Sequence, residues 1–295
     1  MGWHLDGQIL TDSGATSDLE SWRAFGPSVV EDDDGTLRMW YSAHDGSTSR
    51  ILEAVQRPGR PWVRRGVSID VGLAGESDAY GVESPSVVFT PGGYLMAYAG
   101  SDGADTRLHM AVSPDGRVWK ALGTFMQREQ ADAIGASHPC LVVTSQRWWL
   151  FYAGYDGSAN GRRASILAAV SDSGASWDRV GPVLEPGGDE LAVFEPWVVI
   201  SHRRFSMFYV SDDGRRPAIQ MATSEDGVSW DRRGITLPGS ADDVDTLEER
   251  SPCVLRLQDG SLRLWFASRP TGDVSAAYRL CSATFTGSAD WLDGG

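Results

Sequence analysis

The chain has 295 residues, with 40 Asp and Glu against 26 Lys and Arg and a formal net charge of −14 at pH 7. That acidity repels nucleic-acid phosphates, and the absence of any run of 18 apolar residues excludes a helical membrane span. The opening MGWHLDGQIL lacks a basic segment followed by an apolar one, so no signal peptide is read and a cytoplasmic protein is expected.

The first element is a short strand, Trp3 to Leu10, with the pattern W-x-x-x-G-x-x-L. From Phe25 onward one pattern occurs five times. An x-Pro step opens an apolar strand, a turn follows, and an aromatic strand ends in a polar tip. Phe25-Gly26-Pro27 leads to LRMWYSAHDG, and Glu83-Ser84-Pro85 leads to YLMAYAGSDG. Ser137-His138-Pro139 leads to WWLFYAGYDG, Phe194-Glu195-Pro196 to RFSMFYVSDDG, and Arg250-Ser251-Pro252 to LRLWFASRPTG. Successive prolines are 58, 54, 57 and 56 residues apart, a period that belongs to stacked strand repeats and not to separate domains. Turns at Asp34-Gly35, Gly92-Gly93 and Asp259-Gly260 supply the positive φ that hairpins need.

Each repeat adds a third strand (RILEAV from Arg50, RLHMAV from Arg107, SILAAV from Ser165, AIQMAT from Ala218, RLCSAT from Arg279). A fourth strand of W-x-x-x-G type opens at Trp62, Trp119, Trp177 and Trp230. The fifth repeat has no such strand, and the N-terminal segment carries the same pattern. The expected fold is therefore all-β: a five-bladed β-propeller of four-stranded antiparallel blades, closed by the N-terminal strand completing the C-terminal blade. The expected domain is single, over 1–295. Its blades run at about 25–70, 80–127, 135–185, 193–238 and 248–286 plus 3–10.

The turns Ser113-Pro-Asp-Gly, Ser171-Asp-Ser-Gly and Ser224-Glu-Asp-Gly, each ahead of a tryptophan, are read as structural, the Ser or Asp capping the turn. Cys140, Cys253 and Cys281 lack CxxC spacing and read as small core residues in a reducing compartment. No metal set is evident, because His4, His44, His109, His138 and His202 are scattered, and no cofactor motif appears. One lysine among many arginines points to a GC-rich bacterial source.

Strand alternation puts the starts of first strands and the ends of second strands on one face. That face collects Glu83, His138, Glu195, Glu249 and Arg250 from the first set, and Asp45, Asp102, Tyr155, Asp156, Asp213 and Arg269 from the second. A funnel of acids, arginines and aromatics suits a small polyhydroxylated ligand. Loops leading into the first strands add Asp18, Glu20, Glu76, Asp78, Asp132, Asp189, Glu190, Asp242, Asp243 and Asp245.

The acid–proline starts, the terminal closure and the A-V-S-x-D-G-x-x-W turn together resemble the five-bladed propeller glycosidases. These are the arabinanase/xylosidase, invertase/levansucrase and mannoside-phosphorylase families. The resemblance implies an acid before proline in blade one as base, one in blade three that orients, and a glutamate in blade four as general acid. Glu195 matches the last. Gly26 and His138 stand where the other two would be, and Glu83 has the E-x-P spacing but in blade two.

Hydrolysis of a glycoside needs two carboxyl groups flanking the bond, about 5–5.5 Å apart for retention and about 6.5–9.5 Å for inversion. Glu195 and Glu83 are the candidate pair; the plainer reading of either is a rim carboxylate accepting backbone N–H groups. His138 is a base, a proton shuttle, a water-mediated metal contact or a channel filler. Arg250 pairs with Glu195 or Glu249, or binds a ligand anion. Glu249, Asp45, Asp102, Tyr155, Asp156, Asp213 and Arg269 are candidate substrate contacts, with Tyr155 the stacking or hydroxyl partner, while Trp197 packs in the core. The expected function is a glycoside-hydrolase-like enzyme on a small carbohydrate-like substrate. The alternative is a propeller without hydrolase activity, either a sugar binder or a lyase, cyclase or isomerase.

Overall fold

A computed structural model describes residues 2–10, 17–158, 163–202, 204–235, 247–270 and 277–287. Strand β1 (Gly2–Gln8) stands apart in sequence from the rest. Sheet one contains β2 (Arg23–Glu31), β3 (Leu37–His44), β4 (Ser49–Gln56) and β5 (Val63–Ile69). Sheet two follows with β6 (Gly81–Thr90), β7 (Gly93–Ser101), β8 (Thr106–Ser113) and β9 (Lys120–Thr124). Sheet three holds β10 (Gly135–Val143), β11 (Trp148–Tyr155), β12 (Ala164–Ser171) and β13 (Asp178–Leu184). Sheet four holds β14 (Ala192–Ser201), β15 (Arg204–Asp212), β16 (Pro217–Ser224) and β17 (Asp231–Ile235). Sheet five is β18 (Leu247–Arg256), β19 (Leu262–Pro270) and β20 (Arg279–Thr286), with β1 as its fourth strand.

Within each sheet neighbours are antiparallel, and a parallel bridge from Ser49 to Gly81 joins sheets one and two. β1 pairs with β20 from Gly2 opposite Thr286 to Gln8 opposite Cys281, with a bulge at Leu5/Gly7. The terminal segments thus meet as the repeat count requires, and β20 keeps no open edge.

The first strands touch in a cycle: β2 with β6, β6 with β10, β10 with β14, β14 with β18, and β18 with β2. Burial follows from this arrangement. Second strands such as β3 and β11 lie between neighbouring sheets and are buried on both faces, which is why they read as near-continuous apolar runs. β5 and β13, at the outer edge, alternate exposed and half-buried residues.

The core is divided into five apolar seams, one per sheet junction. Trp40, Met96 and Tyr98 fill the seam between sheets one and two, and Leu95, Leu141 and Tyr152 the next. Phe151, Val198 and Met207 fill the third, Phe208, Val254 and Phe266 the fourth, and Met39, Tyr41, Cys253 and Trp265 close the cycle. Trp119 meets Trp40 edge-on at 5.7 Å, and Trp230 meets Phe151 edge-on at 5.8 Å, so the turn tryptophans pack into seams. Their turns are capped as the sequence suggests: Ser113 Oγ accepts the Gly116 N–H and Ser224 Oγ accepts the Gly227 N–H, each at 2.8 Å.

Polar links cross the same seams close to the axis. The N–H of Val87 donates to Ser28 Oγ at 2.9 Å and that of Leu141 to Ser86 Oγ at 2.9 Å. The N–H of Val198 donates to Cys140 Sγ at 3.2 Å and that of Val29 to Cys253 Sγ at 3.3 Å. In the remaining seam Trp197 Nε1 donates to the Val254 carbonyl at 2.8 Å. Each of these side chains comes from the residue just after an x-Pro step. Cys140 and Cys253 are therefore small and buried, as the sequence reading has them, and they are also acceptors for the next sheet.

Replacing Ser86 by Ala leaves the Leu141 N–H buried without an acceptor. It is expected to lower the unfolding free energy by about 1–3 kcal/mol. Ser86→Cys, which restores the arrangement used at Cys140 and Cys253, is expected to lose less. Urea denaturation of the two variants checks this.

Candidate active site

At every x-Pro step the first strand skips two residues in its pairing with the second. Phe25 faces Ser42 while Ser28 faces Trp40, and the same skip recurs at Glu83/Ser86, Ser137/Cys140, Phe194/Trp197 and Arg250/Cys253. The residue before each proline is left-handed: Gly26, Ser84, His138, Glu195 and Ser251 have φ of 58°, 55°, 50°, 55° and 54°. Four of the five are not glycine, and each of those carries strain of about 1–2 kcal/mol. The bulge turns these five side-chain positions toward the axis. There they and their prolines ring a constriction of about 30 Å³, room for one water.

Gly26 is the open question raised by the sequence. A Cβ at Gly26 would lie 3.0 Å from Ser42 Oγ and 3.4 Å from Ser84 Cα. Ser42 Oγ occupies that space because it accepts the Ser84 N–H at 2.7 Å. In sheet four the equivalent N–H, that of Ser251, is accepted by Glu195 Oε2. A serine on the second strand thus does in sheet one what the glutamate does in sheet four.

Above the constriction lies a cavity of about 130 Å³. Arg23, Glu83, His138, Glu195, Arg250 and Tyr278 line it, so the three predicted catalytic residues converge, with Arg250 among them. Glu195 is 4% exposed and its oxygens are fully used. Oε1 lies 2.9 Å from Arg250 and 3.4 Å from His138 Nε2, and Oε2 also accepts the Ser251 hydroxyl at 3.1 Å. Glu83 is half-buried, and its one hydrogen bond among the described residues is a long 3.4 Å contact from Ser49 Oγ. The two glutamates differ because Glu195 is one residue before its proline and Glu83 two. The first sits on the left-handed position at the axis and the second on the wall of the cavity.

His138 Nδ1 lies 2.6 Å from Ser137 Oγ, which lies 3.3 Å from the Tyr155 hydroxyl. Burial lowers the His138 pKa, with Glu195 and Glu83 opposing and Arg250 reinforcing the shift, so the ring is neutral at pH 7. Burial works against the Arg250 charge, but Glu195, Tyr278 and Tyr155 together outweigh it and hold the guanidinium firmly protonated. Burial raises the Tyr155 pKa and pushes the Tyr278 phenol up to about 12.

No protein-family model matches the sequence. An uncharacterized protein of Mycobacterium tuberculosis is 26% identical over 282 residues, spanning 86% of this chain and 91% of the relative. Among solved structures, one described as a glycoside hydrolase superposes with a TM-score of 0.78 at 14% identity, covering 97% of this chain and 92% of its own. A thermostable family-43 glycoside hydrolase gives 0.72 at 13% identity, covering 90% of each chain. A family 117 glycoside hydrolase of Zobellia galactanivorans gives 0.71 at 12% identity, covering 96% of this chain and 90% of its own.

The fold is that of the propeller-type glycoside hydrolases. On this propeller scaffold most of the remaining predicted contacts do not reach the cavity. Asp45 Oδ1 accepts the N–H groups of Ser47 and Thr48, and Asp102 Oδ1 those of Ala104 and Asp105. Asp156 caps Ser158, and Asp213 caps Arg215 and Arg216. These four aspartates are turn caps at strand-two tips. Arg269 pairs with Glu248 at 2.7 Å and stacks its guanidinium over Tyr278 at 4.5 Å, which places it behind the cavity wall.

The loop acids are mostly latches. Glu20 bonds Tyr41 and Arg64, Asp78 bonds Tyr98, Asp132 bonds Tyr152 and Arg179, and Glu190 bonds Arg232 beside Tyr209. The signal for them is the W-x-R start of the fourth strands at Trp62, Trp177 and Trp230. Glu76 accepts the Leu73 N–H within its own turn, and Asp18 and Asp189 are exposed. Asp242, Asp243 and Asp245 lie outside the described residues.

Arg23 and Tyr278 are cavity residues that the sequence reading misses. Arg23 is four residues ahead of Pro27, outside the x-Pro signature, and Tyr278 stands just before a third strand, where the other repeats have Ser49, Thr106, Ala164 and Pro217. Two larger clefts of about 600 and 710 Å³ lie at the seams on either side of sheet one. Neither contains a residue of the x-Pro bulges, and in the first Arg38 and Glu53 already pair with each other at 2.6 Å. Among the described residues no group of three His, Cys, Asp or Glu is placed to hold a metal, and no helix is long and apolar enough to cross a membrane.

The two glutamates should separate in stability measurements. Glu195→Gln weakens the Arg250 pair and one Ser251 bond, and is expected to cost about 1–3 kcal/mol of unfolding free energy. Glu83→Gln is expected to change it by less than about 0.5 kcal/mol. Glu249 gives a second test. It is buried at the seam of sheets four and five, away from the cavity, and makes no side-chain hydrogen bond among the described residues.

Burial raises the Glu249 pKa to about 7, with Arg216 opposing. The folded state then holds a proton that the unfolded chain has released, so wild-type stability falls as pH rises from about 4.5 to 7. Glu249→Gln is expected to be near neutral at pH 4.5 and stabilising at pH 8, read by thermal denaturation at the two pH values.

Proposed function

We propose that the chain is a five-bladed propeller enzyme that cleaves a small glycoside in the cavity above the axial constriction. The observation that carries this reading is the convergence of Glu83, His138 and Glu195 on one cavity, with Glu83 the carboxyl whose oxygens remain available. In this scheme Glu83 protonates the glycosidic oxygen, so that the leaving group departs as an alcohol. Neutral His138 takes a proton from the water that attacks the anomeric carbon, and Glu195 at 3.4 Å stabilises the imidazolium. The proton returns to Glu83 through solvent. Glu195 is a positioning residue, because Arg250, Ser251 and His138 already use both its oxygens. Tyr155 and Ser137 support the ring of His138 from the other side.

The second reading is ligand binding, or another biosynthetic reaction, without hydrolysis. Gly26 favours it, since the space an acid would need there is filled by Ser42.

Purified protein assayed against a panel of p-nitrophenyl glycosides separates the two. Turnover is expected, with Glu83→Gln lowering kcat/KM by about 10²–10⁴-fold. The acid limb of the pH profile is expected below the ordinary histidine value of about 6.5, since His138 is shifted down. Sugar binding by the wild type without turnover would favour the second reading, and an active Glu83→Gln enzyme would remove Glu83 from the chemistry.

A further inference from the structure

We infer that the sugar taken by this cavity carries a carboxylate, held by Arg23; this rests on the carbohydrate reading above. Three guanidinium groups lie in or beside the cavity. Arg250 is paired with Glu195 and Arg269 with Glu248. Arg23, on the cavity wall, makes no ion pair and no side-chain hydrogen bond among the described residues, and its Nε is buried without a partner.

The Arg23 guanidinium carbon lies 4.2 Å from the Trp22 ring centre and 5.1 Å from that of Phe25. Stacking of this kind restrains the plane of the group while leaving its edge donors free to meet a planar anion. Burial lowers the Arg23 pKa, with Arg250 and Arg269 reinforcing the shift and Glu83 opposing it through space, and no ion pair joins Arg23 to Glu83 among the described residues. An unpaired cation on the wall of a ligand cavity finds its counter-charge in the ligand.

Charge matching selects the kind of anion. Glu83 and Glu195 share the cavity with Arg23 and Arg250; Arg250 is committed to Glu195, and Arg23 makes no ion pair with Glu83 among the described residues, so the donors of one cation, Arg23, are left unmatched. A monoanionic carboxylate answers it, whereas a phosphate dianion would bring a second charge beside Glu83. The cavity of about 130 Å³ is on the scale of a single sugar unit. The chemical class is therefore a hexuronic acid or its glycoside.

Calorimetric titration of the wild type with D-glucuronate, D-galacturonate, the matching neutral hexoses and glucose 6-phosphate tests the inference. At least one uronate is expected to bind about tenfold or more tighter than its neutral hexose, the scale of a charge-assisted hydrogen bond. Arg23→Gln is expected to abolish that preference, and Arg23→Lys, which keeps the charge without the planar fork, to retain part of it. A neutral hexose bound as well as its uronate, or glucose 6-phosphate bound more tightly than either uronate, overturns the anion assignment while leaving the carbohydrate reading standing. No binding of any sugar and no glycoside turnover overturns both. A uronate preference that survives Arg23→Gln removes Arg23 as its source.

Discussion

Five left-handed residues, one before each proline, are the constraint on which the rest of the molecule rests. Proline supplies no N–H, and its predecessor at positive φ throws two residues out of each first strand. The following side chain is thereby aimed across the seam, where Ser28, Ser86, Cys140, Trp197 and Cys253 tie each sheet to the next. Strained backbone persists only where surrounding structure over-determines it, and here the five seam bonds, together with the apolar seams around them, do so. The same bulge turns the preceding side chain toward the axis, so fold closure and site formation share one cause.

That cause assigns different work to similar residues. A glutamate one position from proline falls on the axis, where the next sheet's N–H, an arginine and an imidazole saturate it; a glutamate two positions away falls on the cavity wall with its oxygens nearly unengaged. His138 has the axial position in sheet three, and burial keeps it neutral beside that saturated carboxylate. The resulting site is asymmetric around a nearly symmetric ring. Asymmetry of this kind puts two like carboxyl groups in different surroundings, Glu195 saturated and Glu83 open to the cavity.

Acidic residues elsewhere on the face serve the backbone. The strand-two tips turn sharply, and Asp45, Asp102, Asp156 and Asp213 satisfy the N–H groups those turns expose. The loop acids reach down to the strand-two tyrosines Tyr41, Tyr98 and Tyr152, and so fasten the loops to their sheets. In sheet five Phe266 replaces that tyrosine, and Tyr278 bonds Glu248 instead. This substitution brings a phenol from a loop onto the cavity wall.

Strand order, the pairing of the N-terminal segment with β20 and the capped tryptophan turns were all readable from the chain, because they depend on local periodicity and on a pattern repeated five times. The convergence of Glu83, His138, Glu195 and Arg250 was readable too, since each stands within two residues of a proline in the repeat. The division of roles between the two glutamates was not, because it depends on which side of a left-handed bulge each falls. Nor was the position of Arg23, which lines the cavity without an ion pair among the described residues, a property of the assembled cavity. Sequence by itself determined which residues approach the axis; only the tertiary structure decided which of them remain free, since hydrogen-bond saturation is settled by neighbours distant along the chain.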